Sequence, residues 1–265
     1  MIMRIHDLLK INAQAFVEGN ASPPSWVVEA LEAVPFVVVR REIVAPGLIA
    51  VGVRGEARSQ RWAGTCEPGW INGVVTPAEL MSVVLPDLTS TTSVRSAPSA
   101  GRPRADSNGL GRDPDSVPLQ SRFGTIPAFR SLALLTGNQT WSSLPYAWGP
   151  GGSVGFELAT GHPTASLQSD LDLVIYANDR LSVAEAKSLH TAAQNLPSVV
   201  DVRVETPVCG FSLTEYARQA AGPILLRTVS GVMLGTDPWD PDPSQGSPRA
   251  DATDPPSTGS NASSP

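Results

Sequence analysis

The sequence predicts an α/β (α+β) protein, and three observations carry that reading. Runs of β-branched residues alternate with helix starts that bring their own capping residues; a glycine-rich turn joins an apolar run to a helix; and two stretches nearly free of apolar residues flank that part of the pattern. At 265 residues, 41% hydrophobic and 17% charged, the chain is long enough for one large or two modest cores.

Residues 34–40 and 48–54 read as paired strands separated by Pro46-Gly47. Thr76-Pro77-Ala78-Glu79 combines a capping threonine, a first-turn proline and a glutamate able to reach back, so a short helix runs through 80–84 and stops at Pro86. From 87 to 125, Ser, Thr, Pro, Gly, Arg and Asp dominate. So little apolar surface does not offset the entropy of ordering a backbone, which predicts a flexible linker or insertion. Residues 126–135 read as a helix ended by Gly137, and 144–148 as a strand running into the turn at 149–153. Residues 171–176 and 199–205 read as strands, followed by the capping boxes Ser182-Val-Ala-Glu185 and Ser212-Leu-Thr-Glu215. A hairpin around Ser230-Gly231 occupies 224–234, and the Pro-, Ser- and Asp-rich stretch 237–265 reads as a disordered tail. The expected domains are a mixed N-terminal accessory domain over 1–86, the linker over 87–125, and a second α/β domain over 126–236.

Composition narrows the function. A formal net charge of −6 argues against a general nucleic-acid binder, which needs a basic surface to neutralise phosphates. Cys66 and Cys209 lie far apart and fit neither a metal pair nor a disulfide scaffold, which suits the reducing cytoplasm. Arg4, His6 and Asp7 break the apolar residues of the first ten positions, so no signal peptide is expected, and no apolar run is long enough to span a membrane.

The chemistry concentrates in Gly151-Gly-Ser-Val-Gly-Phe-Glu-Leu-Ala-Thr-Gly161 and Ser169-Asp-Leu-Asp-Leu173. Side chains alternate along a strand, so Asp170 and Asp172 share one face while Leu171 and Leu173 share the core face. Neighbouring carboxylates repel, and a hard divalent cation such as Mg²⁺ between them relieves the repulsion. In the later strand Val200, Val202 and Val204 face inward and Asp201, Arg203 and Glu205 face the other way, so Asp201 is expected to complete a three-carboxylate cluster. The glycine turn before Ser153 offers backbone N–H groups at a helix start, where phosphates are held without basic side chains.

Gly-Ser, Asp-Leu-Asp and Val-Asp-Val together resemble the core of the nucleotidyltransferase superfamily. More narrowly, Trp148–Gly161, Ser169–Leu173, Asp201-Val-Arg-Val-Glu-Thr-Pro207, Leu225-Leu-Arg-Thr228 and Asp237-Pro-Trp239 resemble the malonate decarboxylase holo-acyl carrier protein synthases, the phosphoribosyl-dephospho-CoA transferases. The N-terminal His6-Asp-Leu-Leu9, Val51-Gly-Val-Arg-Gly55 and Gln60-Arg61 fit the same family. The resemblance implies a nucleotidyltransferase-like catalytic domain with a small mixed sheet. It implies Mg²⁺-dependent transfer of a phosphoribosyl-dephospho-CoA group from triphosphoribosyl-dephospho-CoA to a serine of the apo acyl carrier protein subunit of malonate decarboxylase, with release of pyrophosphate. Asp170 and Asp172 would hold the metal, Asp201 would be the base or a second metal's ligand, and Gly152 and Ser153 would hold phosphates. The rivals are a nucleotidyltransferase of other specificity and a silent carrier-binding module.

Arg40, Arg41, Arg54, Arg58 and Arg61 concentrate positive charge in an acidic chain, with Arg54 and Arg61 the substrate-binding candidates and a solvated strand edge the plainer explanation. Glu205 is a further substrate-binding candidate, and solvation at the surface accounts equally for Glu157 and Glu205. His6, His162 and His190 show no metal-ligand spacing; His6 lies in the family-like N-terminal patch, where a hydrogen-bonded structural role is the better-supported reading and substrate contact the alternative. Trp62, Trp70 and Trp148 read as packing aromatics.

Overall fold

The computed structural model describes residues 3–55, 57, 59–82, 119–218 and 222–242. Two separate hydrophobic cores organise them. Arg58, the stop at Pro86, most of the expected linker and most of the expected tail lie outside the described residues.

The first core belongs to a five-stranded, wholly antiparallel sheet in the order β4-β3-β2-β1-β5, made of β1 (Leu8–Ile11), β2 (Phe36–Val39), β3 (Ile49–Arg54), β4 (Arg61–Cys66) and β5 (Ile71–Val75). Residues 34–40 and 48–54 pair as expected, through β2 and β3. Helices α1 (Ala13–Gly19) and α2 (Ser25–Ala33) accompany the sheet, with Phe16, Val27 and Leu31 joining Leu9, Val37, Val51 and Val53 in the core. Trp62 and Trp70 stack edge-on against Phe16, 5.9 and 6.2 Å between ring centroids, and so are packing residues.

The Thr76–Glu79 box forms as read: Glu79 accepts from the Thr76 N–H at 2.8 Å and the Thr76 hydroxyl accepts from the Glu79 N–H at 3.2 Å. The helix it opens, α3 at residues 77–82, sits against the second domain. Leu80 is buried in the second core, and Pro77 approaches β6 (Ala147–Pro150) so closely that a Cβ on Gly149 would fall 1.8 Å from the Pro77 carbonyl oxygen. A boundary at 86 therefore assigns α3 to the wrong core.

The second sheet has six strands in the order β11-β10-β9-β8-β7-β6: β6, β7 (Leu171–Tyr176), β8 (Val200–Glu205), β9 (Cys209–Ser212), β10 (Ile224–Thr228) and β11 (Gly231–Gly235). Among the described strands only β7 and β8 run parallel; their crossover contains α8 (Val183–Ala192), capped by the Ser182–Glu185 box as expected. The other helices are α4 (Leu119–Thr125), α5 (Pro127–Thr136), α6 (Gln139–Ser142), α7 (Gly152–Thr160) and α9 (Leu213–Arg218). Leu171, Leu173, Ile175, Val202 and Val204 are buried with Phe129, Leu132 and Leu189 in a single core, which leaves the face bearing Asp172 and Asp201 turned away from it.

Three expectations change. Residues 119–125, read as linker, are helix α4, because Arg122 pairs with the buried Glu157. Asp237–Trp239, read as the start of a disordered tail, packs on the domain. The Trp239 indole N–H donates to the Ala177 carbonyl at 3.0 Å, its ring meets Phe211 and Tyr216, and Asp237 pairs with Arg180 at 2.5 Å. Strand β9 stands between β8 and α9, so Ser212 closes a strand, and Glu215 accepts from the Leu225 N–H at 3.1 Å.

Candidate active site

The site is built where β6, α7, β7 and β8 meet. β6 ends at Pro150, and the chain turns through Gly151 and Gly152, the latter in the left-handed region at φ 55°. The Gly151 N–H donates to the Asp172 carbonyl at 2.9 Å, which fixes the turn to β7. A Cβ on Gly152 would lie 1.9 Å from Asp172 Oδ2, so only glycine lets the turn lie against that carboxylate. The first bond of α7 runs from the Gly155 N–H to the Gly151 carbonyl at 2.8 Å, so the N–H groups of Gly152, Ser153 and Val154 precede it. That is a place for anionic oxygens.

Asp172 and Asp201 are register partners across the parallel β7–β8 pair. Burial pushes the Asp172 carboxyl above its ordinary value, and the charges of Asp201 and Asp170 push the same way against those of Arg54 and His6. Asp170 precedes β7 by one residue and is exposed, as is Asp201. The expected three-carboxylate cluster is thus two partners in register and a third at the mouth of the strand. Among the described residues no three His, Cys, Asp or Glu side chains are gathered as a metal cluster. The Asp172–Asp201 pair still fits Mg²⁺, which commonly takes one or two carboxylates and completes its shell with substrate phosphate and water.

Arg54 and Arg61, both exposed, are register partners at the loop end of the β3–β4 hairpin. Like charges opposite each other are unfavourable in a sheet, and an anion between them removes the penalty. Arg54 is near enough to Asp172 for its charge to be felt there, so the first domain brings cations to the acidic face of the second.

Glu205 has a different place from the one expected. Its Oε1 meets His6 Nε2 at 2.9 Å and its Oε2 accepts from Arg41 at 2.5 Å, with the carboxylate buried. Burial alone raises this carboxyl, but the hydrogen bonds and charges of His6 and Arg41 outweigh it and hold the group below the usual carboxylate range. The Tyr176 hydroxyl donates to the Ile5 carbonyl at 2.8 Å, and the Arg4 guanidinium lies 5.3 Å from the centre of the Tyr176 ring. Glu205 therefore clasps the two domains. Glu157 is likewise no surface residue: fully buried, it pairs with Arg122 and accepts the Thr164 and Ala165 N–H groups at 2.9 Å each. Trp148 packs on Trp141 at 4.9 Å. Neither clasp was legible as such, since Arg41 and Glu205 stand 164 residues apart and Arg122 and Glu157 stand 35 apart.

Two cavities, of about 390 Å³ beside Ser212, Thr214 and Arg218 and about 490 Å³ along residues 193–200, have neither Asp172 nor Asp201 in their linings.

Residues 4–77 match the N-terminal domain of phosphoribosyl-dephospho-CoA transferase MdcG, and residues 119–238 match its C-terminal domain. The chain belongs to the phosphoribosyl-dephospho-CoA transferase family. It is 31% identical over 236 residues to the phosphoribosyl-dephospho-CoA transferase of Pseudomonas fluorescens, covering 89% of this chain and 93% of that one. It is 33% identical over 236 residues to that of Klebsiella pneumoniae subsp. pneumoniae, covering 89% and 96%. It is 33% identical over 235 residues to that of Pseudomonas aeruginosa, covering 88% and 92%. No solved structure matches the chain. In this transferase-family chain the matched C-terminal region begins at α4 and ends at Pro238, within the Asp237–Trp239 strap. Among the described residues, no helix is long and apolar enough to cross a membrane.

Proposed function

We propose that the chain transfers the phosphoribosyl-dephospho-CoA group from triphosphoribosyl-dephospho-CoA to a serine of the apo acyl carrier protein subunit of malonate decarboxylase, as an Mg²⁺-dependent nucleotidyltransferase of the cytoplasm that releases pyrophosphate. The observation that carries this is the Asp172–Asp201 pair, in register and backed by Gly152, in a chain of the transferase family.

The precursor is a polyphosphate, and its charge must be met at two places. The N–H groups of Gly152 and Ser153 at the start of α7 receive phosphate oxygens, and the Ser153 hydroxyl would add another donor. Arg54 and Arg61 meet the anionic substrate from the opposite domain. Asp172 and Asp201 would hold Mg²⁺, with Asp170 at the rim, and a bound ion would supply charge neutralisation for the polyphosphate and the departing pyrophosphate. The serine oxygen then attacks the phosphorus that carries the ribose, forming one P–O bond as the bond to the bridging oxygen breaks, and the electron pair leaves with pyrophosphate. The product is a phosphodiester. Two free, buried cysteines suit a reducing compartment.

The test combines purified protein, precursor, Mg²⁺ and apo carrier, and weighs the carrier by mass spectrometry. A mass gain equal to the prosthetic group is expected; no gain removes the proposal.

A further inference from the structure

The N-terminal strand enters through a tight turn whose third residue is strained. The Arg4 N–H donates to Asp7 Oδ2 at 2.7 Å, the Asp7 N–H donates to the Arg4 carbonyl at 3.1 Å, and Asp7 is fully buried. Between them His6 is held at φ 74°, a left-handed conformation uncommon for any residue but glycine, with its N–H on the Val39 carbonyl at 3.0 Å. Strain of this kind persists where the surroundings over-determine it, and it gathers at functional sites. The turn is anchored to β7 by the Ile5 carbonyl and to β8 by Glu205.

The imidazole has a defined polarity. Glu205 accepts from Arg41 and is held as the carboxylate, so His6 Nε2 must be the donor in the 2.9 Å contact. The other nitrogen, Nδ1, makes no hydrogen bond to any described residue, and the side chain is 32% exposed. A buried carboxylate on one ring nitrogen with the other left open is the arrangement that makes histidine a proton acceptor. Arg4, Arg41, Asp7, Tyr176 and Glu205 are the charged and titratable groups around it, and the charge it carries once protonated is felt at Asp172.

Its place along the strand matters as well. The phosphate-binding turn touches β7 at Asp172, whereas the His6 turn touches it at Tyr176, about 13 Å further at roughly 3.3 Å per residue. In-line displacement needs the entering and leaving oxygens on opposite sides of phosphorus. With pyrophosphate at the Gly152 end, an acceptor hydroxyl in line along β7 would enter from the end where His6 stands.

We infer that His6 is a catalytic residue of the transfer, its Nδ1 taking the proton of the acceptor serine hydroxyl while Glu205 and Arg41 hold the ring in place. This rests on the proposed transfer reaction and leaves Asp201 to the metal. The proton passes from Oγ to Nδ1 as the Oγ–P bond forms and the bond to the bridging oxygen breaks. Pyrophosphate takes the electron pair, and the imidazolium later gives its proton to water.

The test uses the full chain with precursor and apo carrier, following transfer by carrier mass. His6→Gly is suited to the backbone, since glycine adopts this φ freely and leaves a gap beside Glu205. It should lose about 10²-fold in kcat with little change in KM for the precursor, and added imidazole should restore activity in a saturable manner. His6→Gln keeps an amide within reach of Glu205 but cannot take a proton, so it should show the same loss with no recovery. Unchanged kcat in either variant, or a His6→Gly loss that imidazole does not reverse, overturns the assignment. Failure of the wild-type chain to add mass to the carrier instead overturns the proposed reaction, so the two failures are distinct.

Discussion

Asp172 and Asp201 stand opposite each other on parallel strands, and burial together with the Asp201 charge raises the Asp172 carboxyl. The folded chain thus holds the Asp172 proton more tightly than the unfolded chain does. The stability this gives is complete below the ordinary carboxylate value and is lost as pH rises through the folded one. Near neutral pH, Asp172→Asn is therefore expected to raise the melting temperature while abolishing transfer. Thermal melts paired with the carrier mass assay check both, and retained transfer would move the active site elsewhere.

A cation shared by the two carboxylates relieves the same repulsion. Mg²⁺ should raise the melting temperature of the wild type, EDTA should reverse the rise, and Asp172→Asn should respond far less. An equal shift in both proteins would count against these ligands.

Gly152 and Gly161 form a matched pair for substitution, since both have positive φ, 55° and 73°, but only Gly152 abuts Asp172. Gly161→Ala should cost about 1 kcal/mol of stability, with transfer retained. Gly152→Ala should cost more and eliminate transfer, because its Cβ displaces the carboxylate. Equal activities in the two variants would show that the turn has no part in the reaction.

Glu205 behaves in the opposite sense to Asp172. Its carboxyl is held below the usual range, so its contribution is present above the ordinary value and lost as pH falls through the folded one. Glu205→Gln leaves Arg41 without its buried partner and should cost about 3 kcal/mol at pH 7, read from urea unfolding. The gap to wild type should narrow as the solution is acidified; a gap that widens contradicts the clasp.

Arg54→Ala should raise KM for the triphosphate precursor about tenfold, as expected for one lost charge-assisted contact, and weaken the salt dependence of KM. Steady-state kinetics at two ionic strengths decide it, and an unchanged KM would return Arg54 to the solvated strand edge.

The parts of the fold most legible in the sequence are those with a sharp local signal. The period-two alternation of Leu171–Tyr176 and Val200–Glu205 placed Asp172 and Asp201 on one face, and Thr76–Glu79 and Ser182–Glu185 announced their helices through side chains that do reach back. Strand β9 was not legible because Cys209, Gly210 and Phe211 are all buried, so no alternation marks it. Asp237–Trp239 was hidden by the composition around it, although one indole suffices to tie it down. Glu157 and Glu205 looked like ordinary surface acids because the cations that bury them come from remote segments: Arg122 precedes its partner by 35 residues, and Arg41 is in another domain. The backbone strain at His6 leaves no trace in residue type.

The hydroxyl of Tyr176 reaches back to the carbonyl of Ile5, so residues 4–6 are fitted against the working face. The Trp239 strap ends close by, on the Ala177 carbonyl and beside Thr206, so a purification tag joined before Arg4 or just after the strap would hang near the same end of the sheet. Kinetic comparisons among laboratories should therefore state where the tag was fused.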